Sequence, residues 1–102
     1  MIYVIASSEL KDGCKARFAE IAKANIPNVL AEEGCISYVL NEDIDAGLPA
    51  QKEVRANVVT FVECWESLEH LHRHLQAPHM KAFAEKVREL RNSSALNVVT
   101  PV

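Results

Sequence analysis

The stretch VRANVVTFVECWESLEHLHRHLQAPHMKAFAEKVRELR, residues 54–91, changes from the alternation of a strand to the apolar spacing of a helix. Residues 54–66 are rich in β-branched and aromatic side chains, which predicts the third and longest strand of the chain. Ser67 is a good N-cap for a short helix over 68–76, and Pro78 suits the first turn of another helix. The stretch therefore predicts a strand followed by a helix that is broken just before Pro78.

The remaining elements are predicted by working outward from this stretch. They are a first strand over 1–10, a helix over 14–33 capped by Asp12 and stopped by Gly34, a second strand over 35–43, an exposed loop over 44–53 and a last strand over 95–102. The order β-α-β-β-α-β is that of the ferredoxin-like α+β fold, in which helices cover one face of an antiparallel sheet. We expect a single domain over residues 1–102.

The sheet face that the helices leave open also needs a cover. Strand segments such as VVTFV, residues 58–62, have apolar side chains pointing to both faces. So short a chain has no further element that could cover the second face. A symmetric contact between the sheets of two copies is the simplest solution, so the sequence predicts a homodimer and a dimeric α+β barrel.

Composition narrows the classes of partner and the compartment. The chain has 102 residues, a net charge of −3 and no run of basic residues, which argues against a nucleic-acid partner. No apolar stretch reaches the length of a membrane span and the start does not resemble a signal peptide, so we expect no membrane partner and a cytoplasmic location. Three scattered cysteines favour neither a disulfide framework nor a reactive thiol.

Strand alternation divides the third strand into two unlike faces. One face is small and apolar (Ala56, Val58, Thr60, Val62, Cys64), whereas the other mixes polar and aromatic groups (Asn57, Val59, Phe61, Glu63, Trp65). Because polar groups are expensive to bury among apolar ones without partners, the mixed face favours a lined cavity. The alternative is that Asn57 and Glu63 reach the sheet margin and are solvated or paired with Lys or Arg.

The histidines of residues 68–76 do not form a convincing metal site. His70 and His74 lie four residues apart on one helix flank, but no further ligand stands at a suitable spacing. The sequence therefore predicts no metal. We interpret His70 and His72 as exposed helix residues.

His74 and His79 are the better candidates for function. They flank the break before Pro78, where a helix end can turn inward over the sheet. A histidine there titrates near neutral pH and can move protons. The inward stripe of the preceding helix is predicted to be Leu68, Leu71 and Leu75.

Two runs of the sequence resemble a known family. They are EEGCISYVLNED (32–43) and FVECWESLEHLHRHLQAPHMKAF (61–83), and they contain Gly34, Cys35, Tyr38, Glu63, Trp65, His74, Pro78 and His79. The pattern resembles the antibiotic biosynthesis monooxygenase domain family across nearly the whole chain. The resemblance implies a dimeric α+β barrel with a pocket in each subunit between sheet and helices.

The resemblance also implies a range of activities. Some members oxidise quinols or anthrones with O₂ and no metal or flavin, others degrade haem, and others isomerise a phosphorylated sugar or have no known chemistry. Haem degraders have a haem-ligating His in the second helix, whereas the stretch KAFAEKV (81–87) contains none. We therefore expect no cofactor, with a small aromatic substrate and O₂ as partners.

The resemblance and the mixed strand face together give an expected assignment of roles. His74 is the expected base or oxygen-orienting group, with Asn57 and the Trp65 N–H as hydrogen-bond donors and Glu63 positioning a histidine. The expected substrate-binding residues are Tyr38, Phe61, His79 and Phe83. Two alternatives remain open: an isomerase that holds an anion with Arg55, Lys81 or Arg88, and a dimeric ligand-binding module without catalysis.

Overall fold

The computed structural model describes residues 1–102 and contains four strands and three helices. In chain order they are β1 (Ile2–Leu10), α1 (Lys15–Leu30), β2 (Cys35–Glu42), β3 (Val58–Trp65), α2 (Leu68–Gln76), α3 (Pro78–Val87), a short 3₁₀ turn (Arg88–Leu90) and β4 (Arg91–Val99). The strands form one antiparallel sheet in the order β2-β3-β1-β4. The predicted ferredoxin-like α+β fold is confirmed.

The core lies between the helices and one face of the sheet. Its largest fully buried side chains are Trp65, Phe18, Leu10, His74, Val4, Val29 and Val87. The strand register pairs Val4 with Glu63 and Ala6 with Phe61, so these residues share the face that the helices cover. The mixed face of β3 is therefore the inner face, as required for a cavity under the helices.

The opposite face of the sheet is open and largely apolar. Ile5 pairs with Val62, Val62 pairs with Val39, and Tyr3 pairs with Val99, which places all five side chains on one surface. Between 36% and 52% of each of these residues is exposed. We call this surface, defined by Tyr3, Ile5, Val39, Val62 and Val99, the open sheet face.

The ends of α1 differ in part from the prediction. The N-cap is Cys14, without a side-chain cap, and the Asp12 carboxylate instead accepts a hydrogen bond from Asn57 Nδ2 at 2.7 Å. The predicted cap at Asp12 is therefore wrong. Gly34 lies in the left-handed region, with a φ of +82°. The helix already ends at Leu30 with Ala31 as its C-cap, however, so Gly34 belongs to the turn before β2 and the predicted helix stop there is wrong.

The strand β3 begins at Val58, four residues later than the predicted start at 54. The preceding loop is exposed and is tied to itself by polar contacts. Asp43 accepts hydrogen bonds from Arg55 Nε at 2.8 Å and from Arg55 Nη2 at 3.0 Å. This exposed ion pair joins the residue that follows β2 to the loop just before Val58.

The break between α2 and α3 is confirmed, but the inward face of α2 differs from the prediction. Ser67 Oγ accepts a hydrogen bond from the His70 N–H, and Ala77 is extended, with a ψ of 137°, before α3 begins at Pro78. Leu71 and His74 are buried, whereas half of Leu68 and Leu75 is exposed. The predicted leucine stripe is thus wrong at Leu68, whereas Leu75, although half-exposed, lines the cavity beside the buried His74. No helix has the length and apolar character needed to cross a bilayer.

Candidate active site

A cavity of about 380 Å³ lies between the sheet and the helices α2 and α3. Five residues predicted from the sequence line it: Tyr38, Phe61, Glu63, His74 and Phe83. Tyr38 and Phe61 form one aromatic wall, with ring centroids 5.0 Å apart, and Phe83 meets Phe61 edge-on at 6.3 Å. The cavity is large enough for a small aromatic molecule and offers it ring faces and edges.

His74 is buried in this site, with 1% of its surface exposed. Its ring lies against Trp65 at 4.5 Å and Tyr38 at 5.6 Å between centroids. Its Nδ1 is 2.8 Å from Glu32 Oε2, and its Nε2 has no hydrogen-bond partner within the chain. Burial lowers the pKa of His74, although the Glu32 carboxylate opposes this shift. The ring is therefore neutral at physiological pH and has one nitrogen free to act on a ligand.

Glu32 is a site residue that the sequence interpretation missed. Its Oε2 also lies 3.1 Å from His79 Nε2, without the alignment of a hydrogen bond, so the carboxylate stands between two histidines. His79 Nδ1 is in turn 3.2 Å from Asn25 Oδ1. No group of three such side chains is arranged so that it could hold one metal ion. Glu32 instead orients the His74 ring through the contact with His74 Nδ1.

Glu63 and Trp65 form a second buried polar contact. Trp65 Nε1 donates a hydrogen bond to Glu63 Oε1 at 3.0 Å, and only 4% of Glu63 is exposed. Burial raises the pKa of Glu63 to about 7, with a further increase from the Glu32 charge and an opposing effect of the Trp65 hydrogen bond. The expectation that Glu63 positions a histidine is wrong, because Glu32 does so. Nor is the Trp65 N–H free for a ligand, because it is bonded to Glu63.

Three predicted site residues lie outside the cavity lining: Asn57, His79, and Trp65, which is fully buried against His74. The Asn57 amide bonds to Asp12 on the surface, so the structure contradicts its placement as a donor in the site. His79 borders a smaller cavity of about 140 Å³ in the groove between α1 and α3, and it reaches the main site only through Glu32. It therefore does not line the main cavity as a substrate-binding residue.

The other histidines of α2 differ from each other. His72 is exposed, as predicted. His70 is not a plain surface residue, because its ring packs directly on Gly34 and its Nδ1 is 2.7 Å from Ser67 Oγ. It joins the start of α2 to the turn before β2 and lies outside the cavity lining.

The Tyr38 phenol and the Cys35 thiol are held in their protonated forms. Burial, with contributions from Glu63 and Glu32, raises the pKa of Tyr38 well above its ordinary value. The same causes raise the pKa of Cys35 to about 11. Neither the phenol nor this thiol is therefore an anionic nucleophile near neutral pH.

Two cationic side chains also line the cavity, and the sequence interpretation assigned no site role to one of them. Lys81 comes from α3 and is exposed, whereas Arg91 begins β4 and is half-buried. Arg91 has a single side-chain hydrogen bond, from Nη1 to Ser8 Oγ at 3.5 Å. Its position could not be inferred from sequence, because it depends on the pairing of β4 with β1.

Comparison with known proteins agrees with this architecture. The sequence profile of the antibiotic biosynthesis monooxygenase family matches residues 1–86. The chain is 42% identical over 91 residues to "Probable quinol monooxygenase YgiN" of Escherichia coli K12, covering 86% of each chain. Rv0793 from Mycobacterium tuberculosis superposes with a TM-score of 0.80 at 25% identity, covering 99% of this chain and 94% of that one.

A second solved structure, protein SO0527 from Shewanella oneidensis, superposes with a TM-score of 0.79 at 26% identity. The superposition covers 96% of this chain and 87% of the Shewanella protein. The profile match spans most of the chain, and the relatives share its fold over nearly its full length. The chain therefore belongs to the antibiotic biosynthesis monooxygenase family.

Proposed function

We propose that the protein is a monooxygenase that oxidises a small electron-rich aromatic, of the quinol or anthrone type, with O₂ and without a cofactor. The observation that carries the proposal is the buried, neutral His74 with its free Nε2 in an aromatic cavity. Family membership and the similarity to a protein named as a quinol monooxygenase support the same reaction class.

His74 acts as the general base in this proposal. Its Nε2 takes a proton from the substrate hydroxyl, or from the acidic CH₂ of an anthrone, and Glu32 stabilises the imidazolium through Nδ1. The resulting anion is electron-rich enough to reduce O₂ itself, so the substrate supplies the electrons. For an anthrone the balance is R₂CH₂ + O₂ → R₂C=O + H₂O, and for a quinol the products are a hydroxyquinone and water.

The rest of the cavity supports this step. Tyr38, Phe61 and Phe83 enclose an aromatic ring and exclude water from it. Glu63, with a pKa of about 7, is partly protonated at neutral pH and can donate a hydrogen bond to charge that develops on oxygen. Trp65 holds Glu63 in place and is a positioning residue.

We also propose that the working form is a homodimer joined through the open sheet face. Five apolar side chains lie exposed on one flat surface there, and an exposed apolar patch of this kind is typical of an interface. A two-fold axis would place the same five side chains of a second copy against them.

The experiment that tests the function is a comparison of two histidine variants of α2. Oxygen uptake and ¹⁸O incorporation are measured with menadiol-like quinols and with anthrone, against enzyme-free blanks for autoxidation. We expect His74→Ala to lower kcat/KM by about 10²-fold or more, because a positioned general base contributes at least that much. The control His72→Ala changes an exposed histidine two residues away and should leave the rate within a factor of about two.

Two outcomes would count against the proposal. An unchanged rate in His74→Ala would remove this residue as the base. Saturable binding of the quinol with no uptake above the blank would favour the ligand-binding module instead. The isomerase alternative has less support, because Arg55 and Arg88 are engaged by Asp43 and Glu85 and do not line the cavity.

A further inference from the structure

Where β4 borders the cavity, a positive charge has no carboxylate partner within the chain. Arg91 is half-buried there, and no carboxylate lies within ion-pair distance of its guanidinium, unlike Arg17, Arg55, Arg73 and Arg88. Its one hydrogen bond, to Ser8, is long at 3.5 Å. A partly desolvated cation without a counter-ion is costly, so this position is prepared for an anion that the chain itself does not provide.

The surroundings of Arg91 are consistent with a ligand group. Ser8 is buried at 5% exposure and lines the same cavity, and the contact of Arg91 Nη1 with Ser8 Oγ places the guanidinium at the cavity lining. Lys81 lines the cavity from α3 and also has no ion-pair partner. The only carboxylate in the lining is Glu63, and Trp65 already occupies one of its oxygens.

We propose that the substrate is an aromatic that carries an anionic substituent, such as a carboxylate, which binds to Arg91 and Lys81. The aromatic part lies against Tyr38, Phe61 and Phe83, with its hydroxyl at His74, and the anionic group points toward β4. A guanidinium suits a planar carboxylate because it offers parallel N–H donors. This inference rests on the proposed function for the role of His74, but the anion subsite stands on its own geometry.

The test uses ligands that bind but lack the second hydroxyl of a quinol. Isothermal titration calorimetry compares 1-hydroxy-2-naphthoate with its uncharged methyl ester at low ionic strength. We expect the carboxylate to bind at least about tenfold more tightly, the factor typical of a hydrogen bond between charged groups. Arg91→Gln should abolish this preference, and Arg91→Lys should keep part of it.

Further variants separate the subsite from general charge and from folding. Lys81→Gln changes an exposed residue and should reduce the preference by a smaller factor, so it serves if Arg91→Gln does not fold. Lys52→Gln removes the same charge from the exposed loop outside the cavity and should leave the preference unchanged. Equal affinity for acid and ester would overturn the inference, as would a preference that survives in folded Arg91→Gln or, if that variant does not fold, an undiminished preference in Lys81→Gln.

The outcome for the subsite is distinct from that for the reaction. Charge-dependent binding that Arg91→Gln removes would establish the subsite even if no substrate were oxidised. Oxidation of quinols by a protein that shows no charge preference would leave the proposed function intact and refute the subsite alone. If a carboxylate of a second copy neutralises Arg91, acid and ester bind alike, which is also a refutation.

Discussion

Glu63 and His74 share one cavity, and burial acts on their proton affinities in opposite directions. It raises the pKa of the carboxyl and lowers the pKa of the imidazole, because in each case the neutral form is favoured away from water. The result near neutral pH is a neutral base beside a carboxyl that is only partly ionised. Such a pair can exchange protons with a ligand without a large electrostatic cost.

The stability of the protein should depend on the charge of Glu63. Its pKa rises from 4.5 to about 7 on folding, so the folded state binds the proton more tightly than the unfolded state. The resulting stabilisation is fully present below pH 4.5 and is lost as the pH rises through about 7. We expect Glu63→Gln to be more stable than the wild type at pH 8, by on the order of 3 kcal/mol, and nearly equal to it at pH 4.5.

Chemical denaturation at the two pH values measures this difference. Glu53→Gln is the matched control, because this carboxylate is exposed in the loop before β3 and its variant should follow the wild type at both values. A difference between Glu63→Gln and wild type that does not vary with pH would show that the carboxyl is not held neutral by folding.

At the residue scale, sequence predicted the aromatic wall, Glu63 and His74, but it missed the partner of His74. Glu32 lies 42 positions earlier in the chain and follows α1, where a carboxylate resembles an ordinary solvated helix end. Only the packing of the turn between α1 and β2 against α2 brings the two side chains together. The same reason applies to Arg91, which reaches the cavity through strand pairing.

The helix α2 is positioned by a contact between His70 and Gly34. A Cβ atom on Gly34 would collide with the His70 imidazole, and Gly34 also has a positive φ of +82°. The turn before β2 and the first turn of α2 are therefore packed without space between them. A backbone hydrogen bond from Glu66 N–H to the Gly34 carbonyl, at 2.9 Å, joins the same two segments.

Gly34→Ala should destabilise the protein by more than backbone strain alone. Gly13→Ala is the control, because Gly13 has a similar φ of +78° and open space around its Cα. Its variant reports the cost of the left-handed conformation, about 1 kcal/mol. We expect Gly34→Ala to cost roughly 2 kcal/mol beyond that, measured by chemical denaturation, because the His70 ring must move.

The double variant Gly34→Ala, His70→Ala isolates the steric part of this cost. The collision partner is absent in it, so the two substitutions should be less destabilising together than the sum of their separate effects. Additive effects would mean that the ring moves aside without cost.

At the element scale, patterns of local chemistry were sufficient for most boundaries. The Ser67 cap and Pro78 fix the ends of α2 and α3 because they act within one turn of chain. The start of β3 was predicted too early because the alternating sequence continues through residues 54–57, which lie in the loop that carries the Arg55–Asp43 ion pair. The inward face of α2 was misassigned at Leu68, and it includes the buried His74, which the predicted leucine stripe left out.

At the scale of the whole molecule, the open sheet face is the main surface without a cover. The helices cover one side of the sheet only. The exposed apolar side chains of the other side lie on all four strands. Sequence predicted this asymmetry correctly from the apolar character of both faces of β3. We propose, as above, that the same face of a second copy covers it in a homodimer.

Val62→Lys should prevent association at this face. Val62 lies at its centre, paired with Ile5 and Val39, and two copies related by a two-fold axis would bring the new charges close together. Sedimentation velocity at micromolar concentration should show a dimer for the wild type and a monomer for the variant. Leu68→Lys, on the exposed side of α2, is the control and should remain dimeric. A monomeric wild type would refute the dimer.

The stacking of Trp65 on His74 makes the candidate base optically visible. Trp65 is the only tryptophan of the chain, and its ring centroid lies 4.5 Å from that of His74. An excited indole loses an electron more readily to an imidazolium than to a neutral imidazole. The intrinsic emission of the protein therefore responds to protonation at His74 and at Glu63, the two titratable groups in contact with this indole, so that an unlabelled sample can reveal when a ligand transfers its proton to the site.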